Sequence, residues 1–204
     1  MMILDETRFE EHIADVLAHS DLYNQRQSGN FEIADLCDRE MLERFVKAQP
    51  EVWAKLSRNV PGREIDTIIE TYNRGINRGT SIWDMLHKGL MVVGAKVKLV
   101  EFQPQIGGKQ SSAYRLYREN RFSVVRQMKY STDAADKDNE LDLCILINGI
   151  PIITCELKNE GTGQCYEDGI IQYQTQRNAD NRMLKACLVH FVMDNDLVFM
   201  TTKL

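Results

Sequence analysis

The chain of 204 residues contains 43% hydrophobic and 27% charged residues, with 25 Lys and Arg against 30 Asp and Glu. This composition is typical of a globular protein and excludes a disordered or collagen-like chain, while the net charge of −5 argues against a uniformly basic nucleic-acid coat. The sequence has no signal-peptide pattern and no run of about 20 apolar residues, so we expect a cytoplasmic protein without a membrane span. Five cysteines without CxxC spacing predict neither a disulfide framework nor a zinc ribbon.

The first part of the chain has a helical pattern. Thr7 and Glu10 form a capping-box pattern, and the apolar residues that follow have helical spacing. Helical spacing returns over residues 38–76, where prolines divide it into short segments. We therefore expect a helical annex over about residues 38–90, inserted between the first helix and a sheet.

The pattern changes to that of β-strands from about Leu90. Segment 122–128 alternates between apolar and polar residues, and segments 141–147 and 150–157 are nearly continuous apolar runs separated by Asn148-Gly149, a strong hairpin signal. A helix over 166–178 and two further strands over 188–193 and 197–200 are predicted after the hairpin. This order predicts an α/β fold with a mixed central sheet flanked by helices, forming a single domain over 1–204. The end of the chain directly after a strand suggests a fragment of a longer protein.

The predicted hairpin carries two carboxylates and a lysine among apolar residues. Residues i and i+2 of a strand share a face, so Glu156 and Lys158 point the same way. A strict two-residue turn would pair Asp142 with Cys155 and send the two carboxylates to opposite faces. A three-residue loop or a bulge at the turn would instead set Asp142 opposite Glu156. We predict this shifted register.

Two neighbouring carboxylates repel each other, and a hard divalent cation such as Mg²⁺ relieves that repulsion. The cation would lower the pKa of a bound water, and Lys158 would orient or activate that water beside a phosphate. The arrangement predicts phosphodiester hydrolysis. A salt-bridged Glu156–Lys158 pair at a strand end is the alternative interpretation; the preceding Asp142 and the apolar context favour the metal site.

Segment 142–159 reads DLCILINGIPIITCELKN. It resembles the string D-l-x-l-f-x-N-G-x-P-x-x-x-x-E-x-K-N of the PD-(D/E)xK nucleases, specifically of the N-terminal nuclease domain of the motor, or restriction, subunit of type I restriction enzymes. Further segments around residues 120–127, 172–177, 189–191 and 200–202 are also similar to that family. The resemblance implies a restriction-endonuclease-like core and Mg²⁺-dependent endonucleolytic hydrolysis of double-stranded DNA.

The resemblance also assigns roles to individual residues of the hairpin. It implies that Asp142 and Glu156 are metal ligands, that the Leu157 carbonyl is a further ligand, and that Lys158 is the catalytic lysine. Relatives often bring an additional acid from the first helix, and Glu10 is the candidate here, although its place in the capping box explains it equally well.

The helix after the hairpin matches the family's Q-x-x-x-Y motif only in part. Gln172 matches the glutamine and is a candidate catalytic residue. Position 176 is Gln, and the tyrosine is Tyr173, directly after the glutamine, so either residue could replace the family tyrosine. The four histidines lack metal-ligand spacing; we expect His190 in the core or at an edge and the others on the surface.

Residues 109–130 form a basic stretch with six Lys or Arg and one acid, interleaved with aromatic residues. Such a stretch neutralises DNA phosphates without reading bases, so we predict DNA contacts by Arg121, Arg126 and Lys129, and by Arg177 on the following helix. A solvated strand face balanced by the acidic residues that follow is the alternative.

The sequence lacks the pattern G-x-x-x-x-G-K-[ST], so we expect no ATP-binding loop in it. The resemblance implies that ATPase motor domains follow in the full subunit, and that separate methyltransferase and specificity subunits complete the complex. Two other functions remain open: a DNA-binding or docking module of the same fold that does not cleave, and a repair-type nuclease of the same superfamily.

Overall fold

The structure, a computed structural model, describes residues 6–106, 108–134, 136–159 and 163–204. The α-helices are α1 (Glu6–Ala18), α2 (Arg39–Lys47), α3 (Pro50–Asn59), α4 (Glu64–Asn77), α5 (Ile82–Lys88), α6 (Ser112–Arg118), α7 (Tyr166–Ile171) and α8 (Arg182–Ala186). The β-strands are β1 (Tyr23–Arg26), β2 (Leu90–Val92), β3 (Ala95–Val97), β4 (Phe122–Lys129), β5 (Glu140–Ile147), β6 (Ile150–Leu157), β7 (Val189–Met193) and β8 (Val198–Thr201). Within the described ranges, no helix has the length and apolar character needed to cross a membrane. All five cysteines are free thiols.

The chain divides into two compact units. The first contains residues 1–29, 123–146 and 151–204, and the second contains residues 30–122 and 147–150. A six-stranded sheet has the order β1-β4-β5-β6-β7-β8, in which β6 and β7 are parallel and β7 and β8 are antiparallel. The predicted mixed sheet with helices is thus confirmed.

In the first unit, α1 packs on one face of the sheet. Ala14 of α1 lies in a buried apolar cluster with Val124, Leu143, Cys155 and Leu157. Because side chains alternate along a strand, the residues next to Leu143, Cys155 and Leu157 point to the opposite face. Asp142 and Glu156 therefore share the face that lies away from α1.

The turn between β5 and β6 has two residues, so of the two predicted causes of a shifted register, the three-residue loop and the bulge, the three-residue loop does not form. Asn148 and Gly149 have φ values of 48° and 84°, the left-handed conformations that a tight type I′ turn requires. With this turn, Ile147 would lie opposite Ile150, and Leu143 would lie opposite Thr154. Residues opposite each other share a face of the sheet, so Leu143 would share a face with Thr154. Instead, Leu143 lies in one cluster with Cys155 and Leu157. The shared cluster therefore indicates a shift of one residue between the two strands. Such a shift places Asp142 and Glu156 on one face.

The predicted capping box at the start of the chain is wrong: helix α1 begins at Glu6, so Thr7 lies inside the helix and cannot be its N-cap. The predicted change to β-strands at about Leu90 is confirmed, since β2 begins there, but the sequence did not predict helix α6 between β3 and β4. The hydroxyl of Ser111 accepts a hydrogen bond from the Tyr114 backbone N–H at 3.2 Å and caps α6, which explains a helix within the basic stretch.

In the second unit, helices α2 to α5 lie within the range 38–90 in which the sequence predicts helices, and their buried residues include Leu42, Phe45, Ile68 and Tyr72. Asp38 caps α2 by accepting a hydrogen bond from the Met41 backbone N–H. Pro50 occupies the first position of α3, where its missing N–H is tolerated. A polar cap thus sets the start of α2, and a proline marks the start of α3.

The Asn148-Gly149 turn is held within the second unit by a complete set of hydrogen bonds. The buried Asn148 amide donates to the Leu99 carbonyl and to the Asn120 side chain, and its oxygen accepts from the Arg121 backbone N–H, all at 2.9 Å. Gly149 lies so close to the Asp38 carbonyl that a Cβ atom would collide with it. The asparagine and glycine of the motif therefore have structural reasons, independent of catalysis.

We expect Gly149→Ala to lower the free energy of unfolding by more than about 2 kcal/mol, because it combines left-handed strain of about 1–2 kcal/mol with a backbone collision. Gly62→Ala is the matched control, since Gly62 has a φ of 76° and open space around it. Urea unfolding followed by the fluorescence of Trp53 and Trp83, both in the second unit, measures the difference. Equal losses in the two variants would contradict the role of the close approach.

Candidate active site

The candidate site lies in the first unit, near the start of β5 and the end of β6. The Leu157 backbone N–H donates to the Asp142 carboxylate at 2.6 Å, while the Lys158 N–H donates to the Met193 carbonyl of β7 at 2.8 Å. Successive N–H groups of a strand point to opposite neighbours, so the Leu157 N–H faces β5. The Asp142 carboxylate takes the place of a backbone acceptor there. This contact holds Asp142 beside the end of β6.

The Glu156 carboxylate is completely buried and both of its oxygens are hydrogen-bonded. Oε1 accepts from Arg177 Nε at 2.9 Å and lies 2.7 Å from Arg177 Nη2, and Oε2 accepts from Gln172 Nε2 at 2.9 Å. Burial, followed by the charge of Asp142, raises the pKa of Glu156 to about 8, while Arg177 and Lys158 oppose that shift. Asp142 and Glu156 are thus close enough to repel each other.

Lys158 is also buried, and its ammonium donates to the Leu157 carbonyl at 2.9 Å. Helix α7 approaches this lysine closely because residue 169 is glycine. A Cβ atom at Gly169 would lie 2.5 Å from Val192 Cγ1 and 3.4 Å from Lys158 Cγ. The ammonium is therefore held beside the backbone carbonyl that the sequence predicts as a metal ligand.

The predicted helix over 166–178 changes its winding in the middle. Helix α7 ends at Ile171 and continues as a π-helix over Gln172–Gln176, closed by a hydrogen bond from the Arg177 N–H to the Gln172 carbonyl at 3.1 Å. In an α-helix, residues five apart differ by about 140° around the axis. The wider turn brings Gln172 and Arg177 to the same carboxylate. Gln172 therefore lies beside Glu156, the predicted metal ligand.

Tyr173 and Gln176 lie outside the carboxylate cluster. The Gln176 side chain is exposed. The buried Tyr173 hydroxyl shares a hydrogen bond with Thr154 Oγ1 at 2.7 Å, and His190 Nδ1 lies 2.7 Å from the same oxygen. Tyr173 thus anchors the π-helix to β6 two residues before Glu156. His190 is buried, as predicted, and burial lowers its pKa to about 4.

Glu10 is buried on α1 and forms an ion pair with Arg126, with 2.7 Å between Oε1 and Nε. Burial raises the pKa of Glu10, and the charge of Asp142 raises it further, while Arg126 opposes the shift. Glu10 is therefore within electrostatic reach of Asp142. The sequence predicts separate roles for Glu10 and Arg126 and does not reveal that they pair with each other.

The basic residues predicted to contact DNA have different environments. Arg126 and Arg177 have carboxylate partners. Lys129 is exposed, and its ammonium lies 3.9 Å from the Glu140 carboxylate. Arg121 belongs to the second unit, where its guanidinium donates to the carbonyls of Arg118 and Asn120, both at 2.7 Å.

The oxygen donors of the site fit a hard divalent cation. Asp142, Glu156 and the Leu157 carbonyl provide two carboxylates and one backbone carbonyl, and Mg²⁺ uses one or two carboxylates with water and substrate phosphate. Among the described residues, no group of three or more His, Cys, Asp or Glu side chains is placed to hold a metal ion. A cation bound here would thus take its remaining ligands from water and substrate.

The contribution of Arg177 to the carboxylate cluster was not found from the sequence. Arg177 follows Glu156 by 21 positions, and no spacing rule connects a strand end with the last turn of the following helix. The one available signal is the polar run of Gln172, Gln174 and Gln176 before Arg177, which departs from an amphipathic pattern.

Comparison with known proteins provides one match. A family model described as the type I restriction enzyme R protein N terminus matches residues 21–204. This range includes β5, β6 and the π-helix, and therefore Asp142, Glu156, Lys158 and Gln172; it begins after α1, which carries Glu10. No curated protein matches the chain.

Glu156 makes stability depend on pH in a defined direction. Its pKa is about 8 in the folded chain and near 4.5 without the fold, so its contribution to stability is complete below pH 4.5 and is lost as the pH rises to about 8. We expect the melting temperature in EDTA to fall less between about pH 5 and pH 8.5 in Glu156→Gln than in the parent, by at least about 2–4 °C. The control is Glu167→Gln, an exposed glutamate of α7. Parallel pH profiles of the parent and Glu156→Gln would contradict the shift.

Proposed function

Because the chain belongs to the type I restriction enzyme R protein N-terminal family, we propose that it is a PD-(D/E)xK endonuclease domain that hydrolyses phosphodiester bonds of double-stranded DNA with Mg²⁺. The observation that carries this proposal is that the Asp142 carboxylate and the Lys158 ammonium both bond to the Leu157 backbone, at 2.6 and 2.9 Å, directly after the buried Glu156. Two carboxylates, a carbonyl and an ammonium at one strand end suit a metal-assisted hydrolysis.

In the proposed reaction, Asp142, Glu156 and the Leu157 carbonyl would hold the cation. The cation, when bound, lowers the pKa of a water and offsets charge on the phosphate oxygens. Lys158 orients the attacking water and places a positive charge where negative charge develops on the phosphate. Gln172 keeps the Glu156 carboxylate in place through its hydrogen bond to Oε2. Glu10 is the candidate for a further acid, through its reach to Asp142.

DNA binding in this proposal depends on basic residues that have no role inside the site. Lys129 and Arg121 remain our candidates, together with the exposed Lys109, Arg115 and Arg118 of the basic stretch. We propose that they contact phosphates, which makes binding independent of sequence and sensitive to salt. Arg126 and Arg177, in contrast, are occupied by carboxylates.

We further propose that the domain acts within a larger R protein. The family name implies an assembly with methyltransferase and specificity subunits, in which an ATP-driven motor of the R protein translocates DNA and sets where cleavage occurs. The 204 residues contain no ATP-binding loop pattern, so the motor would lie outside them. Under this proposal the nuclease site needs no base contacts of its own.

A non-cleaving docking module is the second candidate function. One observation favours it: both Glu156 oxygens already have hydrogen-bond partners within the chain, so that a cation would compete with these partners for the same carboxylate. A docking module would bind DNA without a dependence on divalent cations. Metal-dependent nicking separates the two functions.

We expect the purified chain to nick supercoiled plasmid in Mg²⁺ or Mn²⁺, and Lys158→Ala and Asp142→Ala to lower the nicking rate by at least about 100-fold, the effect of removing one charge-stabilising group. Lys185→Ala, which removes an exposed lysine of α8, is the matched control and should nick like the parent. Gel quantification of the nicked form over time, with circular dichroism to verify folding, provides the measurement.

Equal nicking by the parent, Lys158→Ala and Asp142→Ala would refute the assignment of the site. No nicking by any protein, together with metal-independent DNA binding, would favour the docking module for the isolated chain. Activity on single strands or RNA instead of duplex DNA would indicate a repair-type nuclease of the same superfamily.

A further inference from the structure

Arg177 is almost completely buried, with 4% of its side chain exposed. Its guanidinium has three partners: the Glu156 carboxylate, the Glu140 backbone carbonyl at 2.6 Å from Nη2, and the ring of Tyr130, whose centroid lies 5.6 Å from Cζ. A guanidinium in this position cannot reach a phosphate on the surface. Its contacts therefore serve the interior of the site.

The partners of Arg177 restrict the guanidinium in position and in orientation. Nη2 donates to the carbonyl of Glu140, the first residue of β5. The ring of Tyr130, the residue directly after β4, lies against the guanidinium. The π-helix then delivers Arg177 and Gln172 to different oxygens of Glu156. A planar guanidinium with fixed donors can thus hold one carboxylate oxygen in a single place.

The two oxygens of Glu156 are consequently not equivalent. Oε1 is held by a charged guanidinium through two nitrogens, whereas Oε2 accepts one hydrogen bond from the neutral amide of Gln172. Charge-assisted hydrogen bonds are roughly twice as strong as neutral ones. Two Arg177 nitrogens occupy Oε1, whereas Oε2 accepts one hydrogen bond and keeps a second lone pair. A cation would therefore bind at Oε2, beside the amide of Gln172, and leave Arg177 on Oε1.

We infer that Arg177 is a positioning residue, which holds Oε1 of Glu156 and leaves Oε2 as the oxygen offered to a divalent cation. This inference rests on the proposed metal-dependent function and adds a residue that acts through Glu156 without contacting the substrate. Hydrogen-bonding partners of metal-ligating carboxylates typically contribute about 10–100-fold to metal affinity. Arg177 should contribute within that range.

The test is Mn²⁺ binding to the full 204-residue chain without DNA, measured by titration calorimetry and by the electron paramagnetic resonance signal of bound Mn²⁺. Arg177→Met should bind Mn²⁺ about 10–100-fold more weakly than the parent. Arg177→Lys, which restores the charge but not the planar fork, should recover part of the affinity. Glu156→Gln defines the signal that belongs to this site.

Arg44→Met is the matched control. Arg44 also contacts one carboxylate and one backbone carbonyl, both of Glu119, but it lies in the second unit. The Arg44→Met variant should bind Mn²⁺ with the affinity of the parent. Circular dichroism verifies that each variant is folded; if Arg177→Met does not fold, an intermediate affinity of Arg177→Lys carries the test.

The outcomes separate this inference from the proposed function. If a folded Arg177→Met binds Mn²⁺ as tightly as the parent or more tightly, the positioning role is overturned and the metal site remains. If only Arg177→Lys folds, parent-like Mn²⁺ binding by that variant has the same meaning. If the parent and Glu156→Gln bind Mn²⁺ equally, or if neither binds it, the metal site and the inference are both overturned. Equal weakening in Arg44→Met would show a general effect of charge removal and would also overturn the inference.

Discussion

The burial of the Glu156 carboxylate beside Asp142 is the constraint on which the site depends. Removal of a carboxylate from water costs several kcal/mol, and a second negative charge adds to that cost. The chain offsets it with the guanidinium of Arg177, the amide of Gln172 and the nearby Lys158. Each of these groups must lie within a few ångströms of Glu156. The π-helix, with Gln172 and Arg177 at its two ends, and the end of β6, which Lys158 follows, must therefore both lie beside Glu156 to offset the cost of burying its charge.

Two irregular features of the backbone meet this requirement. A shift of one residue between β5 and β6, indicated by the shared cluster of Leu143, Cys155 and Leu157, places Asp142 on the face of Glu156. The π-helix brings Gln172 and Arg177 to that carboxylate. Regular strands and a regular α-helix would send these side chains in different directions. Irregular winding is common at functional sites, and here it has a specific result: residues of opposite charge meet in the interior.

Local pattern was sufficient to predict the hairpin and its charged residues. Apolar runs on both sides of Asn148-Gly149 indicate paired strands, and charges within such runs require partners, so Asp142, Glu156 and Lys158 stand out without any structure. Local pattern failed where two interpretations share the same residues. Thr7 has the type of an N-cap but lies inside α1, and the stretch that forms α6 was not predicted to be helical. The start of α6 is set by the Ser111 cap, which is a local hydrogen bond, and no residue of this helix is buried.

The order of residues alone predicts the mixed α/β pattern, the hairpin and the acidic and basic residues of the site. These features depend on neighbours within a few positions of the chain. Which charges pair is a property of the folded chain. Glu10 pairs with Arg126 and Glu156 pairs with Arg177, over separations of 116 and 21 positions. Spacing along the chain contains no information about such pairs, since they form only when a helix packs on a sheet. The free energy of burying a charge depends on that packing, and so the partners of each carboxylate emerge only with the tertiary structure.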